Sequence, residues 1–315
     1  MSEKIKKATR EAYGDALNEI YSDFPNMLVL DADLAAATKT GVFKKAHPDR
    51  FIDCGIAESN MIGIASGLAA AGNLVFASSF AMFAAGRAFE QVRNSVGYPH
   101  LNVKIGATHA GVSVGEDGAT HQCCEDIALM RSIPGMVILN PADYMEAKKA
   151  VRAAAEHVGP VYLRFGRLAV DGIFDEDYEF TIGKGVMLAA GTDVTLIATG
   201  LMVGEALKAQ ELLQQDGISA RVINMATIKP LDEEIVRKAA AETGAIVTAE
   251  EHNIIGGLGS AVAEAVCQSV PVPVVRVGVN DTFGKSGPAK ELLVHFGLTA
   301  EHIAQAAKQA IAMKK

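Results

Sequence analysis

Glu58 is an acid whose position suits proton chemistry. It follows residues 54–57 (CGIA) and begins an apolar stretch with helical spacing. An acid in the first turn of a helix is ordinarily stabilised by the helix dipole, and that interpretation stays open. Because the neighbouring side chains are apolar, the sequence also marks Glu58 as a partly buried acid that can exchange protons.

Phe80 and Phe83 are candidates for a wall that binds an aromatic ring. They lie three residues apart at the predicted start of a helix. Pairs at this spacing commonly pack in a protein core, so the pattern alone does not separate the two roles. Stacking of an aromatic cofactor would need the same two side chains.

Residues 115–122 (GEDGATHQ) form the most unusual polar stretch of the chain, and His109 precedes them by a few positions. A surface turn accounts for the two glycines. It does not account for two histidines and an acid between a strand end and a helix start. Asp117, His109 and His121 therefore indicate general acid–base chemistry and recognition of hydroxyl groups.

Alternating strand and helix patterns must position these residues. Apolar runs predict six strands in the first half of the chain, at 27–30, 51–53, 74–77, 103–106, 136–139 and 160–164. Helical spacing predicts five helices between them, at 9–23, 58–71, 82–95, 124–131 and 142–155. This alternation is typical of a parallel sheet with helices on both faces.

A second alternating series follows an acidic, aperiodic segment at 168–184. Its predicted strands are 194–198, 220–223, 245–248 and 272–275, and its helices lie near 201–215, 232–242, 258–268 and 299–312. We therefore predict an α/β protein with two doubly wound domains, at 1–168 and 185–315, the first with a mainly parallel sheet.

Composition excludes several classes of function. The chain of 315 residues carries a net charge of -8, which disfavours binding to nucleic acid or to an anionic membrane. Its four cysteines form no CxxC pair, so we expect no zinc site. The first residues lack the apolar core of a signal peptide, and residues 63–86 are too interrupted for a membrane span. A cytoplasmic location is expected.

Taken together, residues 55–58 (GIAE), 79–83 (SFAMF) and 115–122 (GEDGATHQ) resemble, in order, three signatures of the transketolase family of thiamine diphosphate enzymes. The resemblance covers essentially the whole chain and extends to residues 228–232 (IKPLD) and 250–252 (EEH). It implies a pyrimidine-binding domain followed by a transketolase C-terminal domain.

One family motif is missing. The site for the diphosphate and the metal carries Gly-Asp-Gly followed by paired asparagines, and this chain has neither. The chain therefore resembles the second subunit of a split transketolase. The resemblance implies an N-terminal partner subunit that supplies the diphosphate and Mg²⁺ site, active sites between chains, and an α2β2 tetramer that is active only when assembled.

The resemblance implies roles for four cofactor-binding residues. The Glu58 position hydrogen-bonds N1′ of the aminopyrimidine, which favours the tautomer needed for activation of the cofactor. Phe83, with Phe80, stacks on and encloses the pyrimidine. Asp33 resembles a family aspartate that lies near the cofactor.

The resemblance also implies how substrate is bound. A two-carbon ketol unit passes from a ketose or ketose phosphate to an aldose or aldose phosphate, as in pentose phosphate metabolism. Asp117 meets a hydroxyl of the donor, His121 acts on oxygens near the reacting carbon, and His109 and Arg10 hold the substrate phosphate.

Two departures from the family pattern concern the phosphate. Ala37, with Thr38 beside it, stands where the family has a phosphate-binding serine. The second phosphate arginine is replaced by a stretch in which either Arg164 or Arg167 is available. Substrates without a phosphate therefore stay open.

Three alternatives remain. A β subunit of a 2-oxo acid dehydrogenase E1 component shares the Glu58 helix, but residues 115–118 with His121 favour transketolase. A deoxyxylulose phosphate synthase-like enzyme is less consistent with Phe83. A non-catalytic regulatory subunit would not need Glu58, Asp117 and His121 together.

Overall fold

The computed structural model describes residues 5–314; residues 1–4 and 315, which the predicted domain ranges include, lie outside the described part. The strands are β1 (Lys6–Ala8), β2 (Met27–Asp31), β3 (Phe51–Asp53), β4 (Leu74–Phe80), β5 (Val103–Thr108), β6 (Val137–Leu139), β7 (Val161–Arg164), β8 (Ala169–Asp171), β9 (Val186–Ala189), β10 (Val194–Ala198), β11 (Ala220–Asn224), β12 (Thr227–Lys229), β13 (Ile246–Asn253) and β14 (Val274–Val279).

The α-helices are α1 (Thr9–Ile20), α2 (Ala35–Thr38), α3 (Gly41–Ala46), α4 (Glu58–Ala70), α5 (Phe89–Gln91), α6 (Asp126–Arg131), α7 (Tyr144–Glu156), α8 (Met202–Gln215), α9 (Glu233–Thr243), α10 (Leu258–Gln268), α11 (Ala289–His295) and α12 (Ala300–Ala312). Short 3₁₀ turns occur at Tyr21–Asp23, Pro48–Arg50 and Val112–Val114, and π-helical turns at Met82–Arg87 and Val92–Gly97.

The first sheet has seven strands in the order β12-β6-β7-β5-β4-β2-β3. All neighbours are parallel except β12, which pairs antiparallel with β6. Every residue of β4 is buried, as expected for a strand covered on both faces. Helices α4 and α6 pack on one face, and α1, α3 and α7 on the other.

The second sheet has five strands in the order β14-β13-β10-β11-β9, with β9 antiparallel at one edge. Helices α8 and α12 cover one face, and α9 and α10 cover the other. The predicted α/β class with two doubly wound, mainly parallel sheets is therefore confirmed.

Four short strands were not predicted, and they connect the parts of the chain. Strand β8 pairs antiparallel with β1, which places residues 169–171 against the start of the first domain. Strand β12 belongs to the C-terminal half of the sequence but pairs with β6, so it forms an edge strand of the first sheet. These strands are three or four residues long, and their conformation depends on distant pairing partners rather than on local sequence.

Two other local predictions were wrong in detail. Phe80 ends β4 and does not begin a helix, because the strand runs three residues past the predicted 74–77. The predicted helix at 82–95 is largely π-helical, with only a short α-helical segment at Phe89–Gln91. Wider turns of this kind frequently occur at functional sites.

A buried carboxyl joins the two halves of the molecule. Glu146 of α7 accepts hydrogen bonds from the Ala142 amide (2.7 Å), the Tyr178 hydroxyl (2.8 Å) and the Asn224 amide of β11 (2.7 Å). Burial raises the pKa of Glu146 from 4.5 to about 7, although these donors oppose the shift.

Replacing Glu146 with Gln is expected to change how stability depends on pH. Because the folded-state pKa lies above the unfolded value, Glu146 contributes stability below about pH 4.5 that is lost as the pH rises through about 7. The advantage of wild type over Glu146→Gln in free energy of unfolding should therefore shrink across this range, by about 3 kcal/mol at most. Denaturant unfolding at several pH values measures it, with exposed Glu156→Gln as the control; a constant difference would contradict the assignment.

No helix within residues 5–314 is both long enough and apolar enough to cross a lipid bilayer.

Candidate active site

Glu58 is buried at the first position of α4. Its side chain is 2% exposed, and Ala57 before it offers no side-chain cap. Gly55, with φ of +67°, turns the chain into the helix, a conformation that glycine adopts without strain. Arg87 donates to Oε2 of Glu58 at 3.0 Å. The acid is therefore a buried group with one charged partner.

Four rings lie together: those of Phe80 and Phe83 from residues 79–83, that of His121 from residues 115–122, and that of His109. The ring of Phe80 stacks on His109 with centroids 3.9 Å apart and lies 6.0 Å from Phe83, nearly parallel. His121 stands edge-on to Phe83 at 5.3 Å and to Phe80 at 6.3 Å. The guanidinium of Arg87 lies over Phe83 at 4.9 Å, so it links this cluster to Glu58. The structure thus brings together residues that are distant in sequence.

His109 is held by two fixed hydrogen bonds. Nη1 of Arg10 lies 3.0 Å from Nε2, and Oγ1 of Thr108 lies 2.9 Å from Nδ1. Since an arginine only donates, Nε2 must accept, and the proton of the neutral ring lies on Nδ1. Burial, then the charges of Arg10 and other cations, lower the pKa of His109 to about 3. This arrangement favours a neutral positioning role for His109 over proton transfer.

The loop at 115–122 is built around two glycines with positive φ, Gly115 at +88° and Gly118 at +76°. Asp117 is exposed at its tip, whereas His121 is half-buried beside the aromatic cluster. Gln122, which sequence analysis did not single out, donates to the carbonyl oxygens of Val112, Gly115 and Lys285. It therefore fixes the loop.

The C-terminal domain supports this loop. A side chain at Gly118 would strike Ser286, and one at Gly284 would strike Gln122. Residues 284–287 thus lie directly against residues 115–122. Because the loop carries Asp117 and His121, the second domain contributes to the geometry of the site, a role that its sequence did not indicate.

Asp31 fixes the segment that carries Asp33. It is buried and accepts bonds from the Leu34 amide (2.6 Å) and the hydroxyl groups of Thr38 (2.7 Å) and Thr40 (2.8 Å). Burial raises the pKa of Asp31 to about 6, although the hydrogen bonds from these donors lower it. Asp33 itself is exposed with φ of +62°. The Thr38 hydroxyl therefore points at Asp31 rather than into solvent, and it is fully buried.

Arg10 lies near two other positively charged side chains, Lys39 and Arg167. Its Nη1 donates to the Ala37 carbonyl oxygen at 2.9 Å as well as to His109. Its Nε is buried without a hydrogen-bond partner. The charges of Arg167 and Lys39 also act on His109. This region, defined by Arg10, Lys39 and Arg167, can attract an anionic group.

Arg164 is committed to the protein core. Its Nε and Nη2 donate to both oxygens of Asp126, at 2.8 and 3.1 Å, and Nη2 also bonds the Glu251 carbonyl oxygen at 2.9 Å. The Tyr162 hydroxyl donates to Asp126 at 2.8 Å. Although burial raises the pKa of Asp126, the charge and hydrogen bonds of Arg164 outweigh it and hold that pKa below its usual value.

Arg167 differs from Arg164 in exposure. Its side chain is 38% exposed, and it donates to the Val114 carbonyl oxygen and, at 3.2 Å, to Glu116. An exposed pair of this kind is weak and exchanges readily for another anion. Of the two arginines that sequence left open, Arg167 is thus the one whose side chain is partly exposed.

The Glu58 carboxyl and the Phe83 ring together fit the aminopyrimidine of a thiamine cofactor. A buried carboxyl and an aromatic face lie close enough for one planar group to contact both, as the Arg87 guanidinium does. Within residues 5–314, three or more His, Cys, Asp or Glu side chains nowhere converge as metal ligands.

Comparisons with known proteins agree with this geometry. The family model for the transketolase pyrimidine binding domain matches residues 5–171, and that for the transketolase C-terminal domain matches residues 183–303. A putative transketolase C-terminal section from Methanocaldococcus jannaschii is 53% identical over 304 residues, 96% of this chain and 95% of the relative. A 6-deoxy-6-sulfo-D-fructose transketolase subunit from a Clostridium species is 46% identical over 300 residues, 95% and 93% of the two chains.

A solved structure gives the same assignment. A split gene transketolase, described as an inactive β4 tetramer, superposes with a TM-score of 0.92 at 51% identity and covers 98% of this chain and 100% of that chain. The chain therefore belongs to the transketolase family of thiamine diphosphate-dependent transferases, and it corresponds to the C-terminal subunit of a split transketolase.

Proposed function

We propose that this chain provides the pyrimidine-binding half of a transketolase that transfers a two-carbon ketol unit from a ketose to an aldose. Its N-terminal partner would hold the diphosphate and Mg²⁺, and two copies of each chain would form an α2β2 tetramer with active sites between chains. The observation that carries the proposal is the convergence of buried Glu58 with the rings of Phe80, Phe83, His109 and His121.

Thiamine diphosphate, when bound, supplies the carbon nucleophile that accepts the two-carbon unit. Glu58 would hydrogen-bond N1′ of its pyrimidine, and Phe83 with Phe80 would hold the ring by stacking. Burial of these groups excludes water and strengthens the hydrogen bond of the carboxyl. The cofactor role of Asp33 stays a proposal, because its exposed side chain makes no contact that bears on it.

His121 would meet oxygens at the reacting carbon, because it lies beside Phe83 at the edge of the aromatic cluster. Asp117, exposed on the same loop, would accept a hydrogen bond from a donor hydroxyl. His109, neutral and bonded to Arg10, would position that guanidinium.

The substrates would carry an anionic group at the end remote from the carbonyl. Arg10, Lys39 and Arg167 supply positive charge there, although Ala37 replaces the serine that the resemblance leads one to expect. Both phosphate and sulfonate fit this chemistry. The Clostridium relative is named for a sulfonated ketose.

Reconstitution with an N-terminal transketolase subunit tests the proposal. The mixture should cleave ketose donors and transfer the fragment to an aldose, whereas each chain alone should be inactive. Decarboxylation of pyruvate instead would favour the 2-oxo acid dehydrogenase alternative. Full activity of the partner without this chain would favour a regulatory role.

Replacing Arg10 with Ala is expected to raise KM for an anionic ketose by about ten- to a hundredfold, because a charged hydrogen-bond donor is lost. The KM for the same sugar without its anionic group should change little. Steady-state kinetics of the two-chain enzyme measure both, with the surface variant Arg50→Ala as the control. An equal rise in KM for both sugars would show that Arg10 does not recognise the anionic group.

A further inference from the structure

Arg87 contacts both Glu58 and Phe83 of the candidate site. Its Nη1 donates to Oε2 of Glu58 at 3.0 Å, and its guanidinium carbon lies 4.9 Å from the centroid of Phe83. The arginine side chain is 54% exposed, whereas Glu58 is 2% exposed. A cation that starts at the surface therefore reaches inward and covers a buried acid.

These two contacts are the ones that the proposed function gives to the aminopyrimidine. A guanidinium is planar, donates hydrogen bonds to a carboxylate and stacks on aromatic faces. Phe80 and His121 also lie near the Phe83 ring, at 6.0 and 5.3 Å. The Arg87 guanidinium contacts both Phe83 and Glu58, so it occupies the position that a planar group bound to both would take.

The energetics favour exchange of one partner for the other. A buried carboxylate without a partner is costly, so Glu58 needs either the arginine or another hydrogen-bonding group. Arg87 is half exposed, and its charge is readily hydrated when it swings away. Withdrawal of Arg87 is therefore inexpensive provided that a second partner takes over Glu58.

We propose that Arg87 competes with the aminopyrimidine of the cofactor for Glu58 and Phe83, and that it sets cofactor affinity through this competition. The inference rests on the proposed function and adds a residue that no sequence signature indicated. Arg87 acts on affinity without entering the chemical step. Its removal is therefore expected to tighten binding of the cofactor.

Calorimetric titration of the assembled two-chain protein with thiamine diphosphate and Mg²⁺ tests this. Arg87→Met keeps a long side chain but removes the charge and the donors. We expect a Kd roughly three- to tenfold below that of wild type, because an ion pair and a cation–π contact no longer oppose binding. The Kd of Arg87→Lys should lie between those of wild type and Arg87→Met, since a lysine still pairs with Glu58 but stacks less well on Phe83.

Arg152→Met is the matched control. Arg152 is 43% exposed and forms ion pairs with Asp23 and Glu156; it lies on α7, which packs on the opposite face of the first sheet from α4. Its removal should leave the Kd unchanged. Without cofactor, Arg87→Met should melt at a lower temperature than Arg152→Met, because Glu58 loses its partner, and saturating cofactor should then raise its melting temperature by more than it raises that of wild type.

The outcomes separate this inference from the proposed function. If wild type binds cofactor and transfers ketol units but Arg87→Met binds no tighter, or binds more weakly, competition by Arg87 is overturned and the function stands. If the wild-type assembly neither binds the cofactor nor reacts, both the proposed function and this inference are overturned.

Discussion

Replacing Glu58 with Ala is expected to reduce kcat of the assembled two-chain enzyme by about a hundred- to ten-thousandfold. The carboxyl is buried at the start of α4 and lies within reach of the Phe83 wall through Arg87. No other acid of the described residues is joined to that wall in this way. Steady-state assay of ketol transfer with saturating cofactor measures the loss.

Glu58→Gln separates binding from proton chemistry. The amide keeps the volume of the side chain and a hydrogen bond to the pyrimidine, so cofactor affinity should suffer less than in Glu58→Ala. It cannot exchange a proton, so kcat should stay low. The exposed Glu211→Ala on α8 serves as the control for general effects of removing an acid. Near-normal turnover of Glu58→Ala would contradict the assignment of Glu58 as the acid required for ketol transfer.

Replacing Arg164 with Leu is expected to destabilise the chain by about 3–5 kcal/mol, because Asp126 would remain buried without its charged partner. Arg164 and Asp126 side chains are 4% and 0% exposed, and the pair is bidentate. Replacing Arg167 with Leu should cost at most about 1 kcal/mol, because its pair with Glu116 is exposed. Denaturant unfolding of the two variants compares these costs directly.

Kinetics should show the opposite order for the two arginines. Arg167→Leu is expected to raise KM for an anionic ketose by about tenfold, because one of three nearby positive charges is lost. Arg164→Leu, assayed where it remains folded, should leave KM close to wild type. A stable Arg164→Leu with a raised KM would instead assign the anion to Arg164.

The sequence predicted the local structure around the candidate site well where short stretches determine it. Glu58 was predicted at a helix start because apolar spacing and an acid mark that position, and α4 confirms the helix. The loop at 115–122 was recognisable from its glycines, which adopt positive φ as such a turn requires. The buried strands were predictable for the same reason, since their apolar runs are continuous.

Residues that act through distant partners could not be predicted. Arg87 becomes notable only when α4 brings Glu58 to it, 29 positions away in sequence. Arg164 is separated from Asp126 by 38 positions, and nothing local distinguishes it from Arg167. Gln122 bonds Lys285 across the domain boundary, 163 positions away. Such pairings follow from topology rather than from spacing.

The contact between residues 284–287 and the 115–122 loop also changes how the second domain is understood. Glu251 of β13 lies against the first domain, where it accepts a bond from the Ser113 amide. Together with Glu146 and Asn224, these contacts make the interface between the halves part of the support of the site. Variants in residues 284–287, which contact the 115–122 loop directly, should therefore affect substrate binding as well as stability.

The central claim is that this chain holds the pyrimidine while a partner holds the diphosphate. Calorimetric titration with thiamine diphosphate and Mg²⁺ tests it most directly, on this chain alone, on the N-terminal partner alone and on their mixture. We predict that only the mixture binds the cofactor tightly, and that Glu58→Ala weakens that binding. Tight, Mg²⁺-dependent binding by this chain alone would contradict the account.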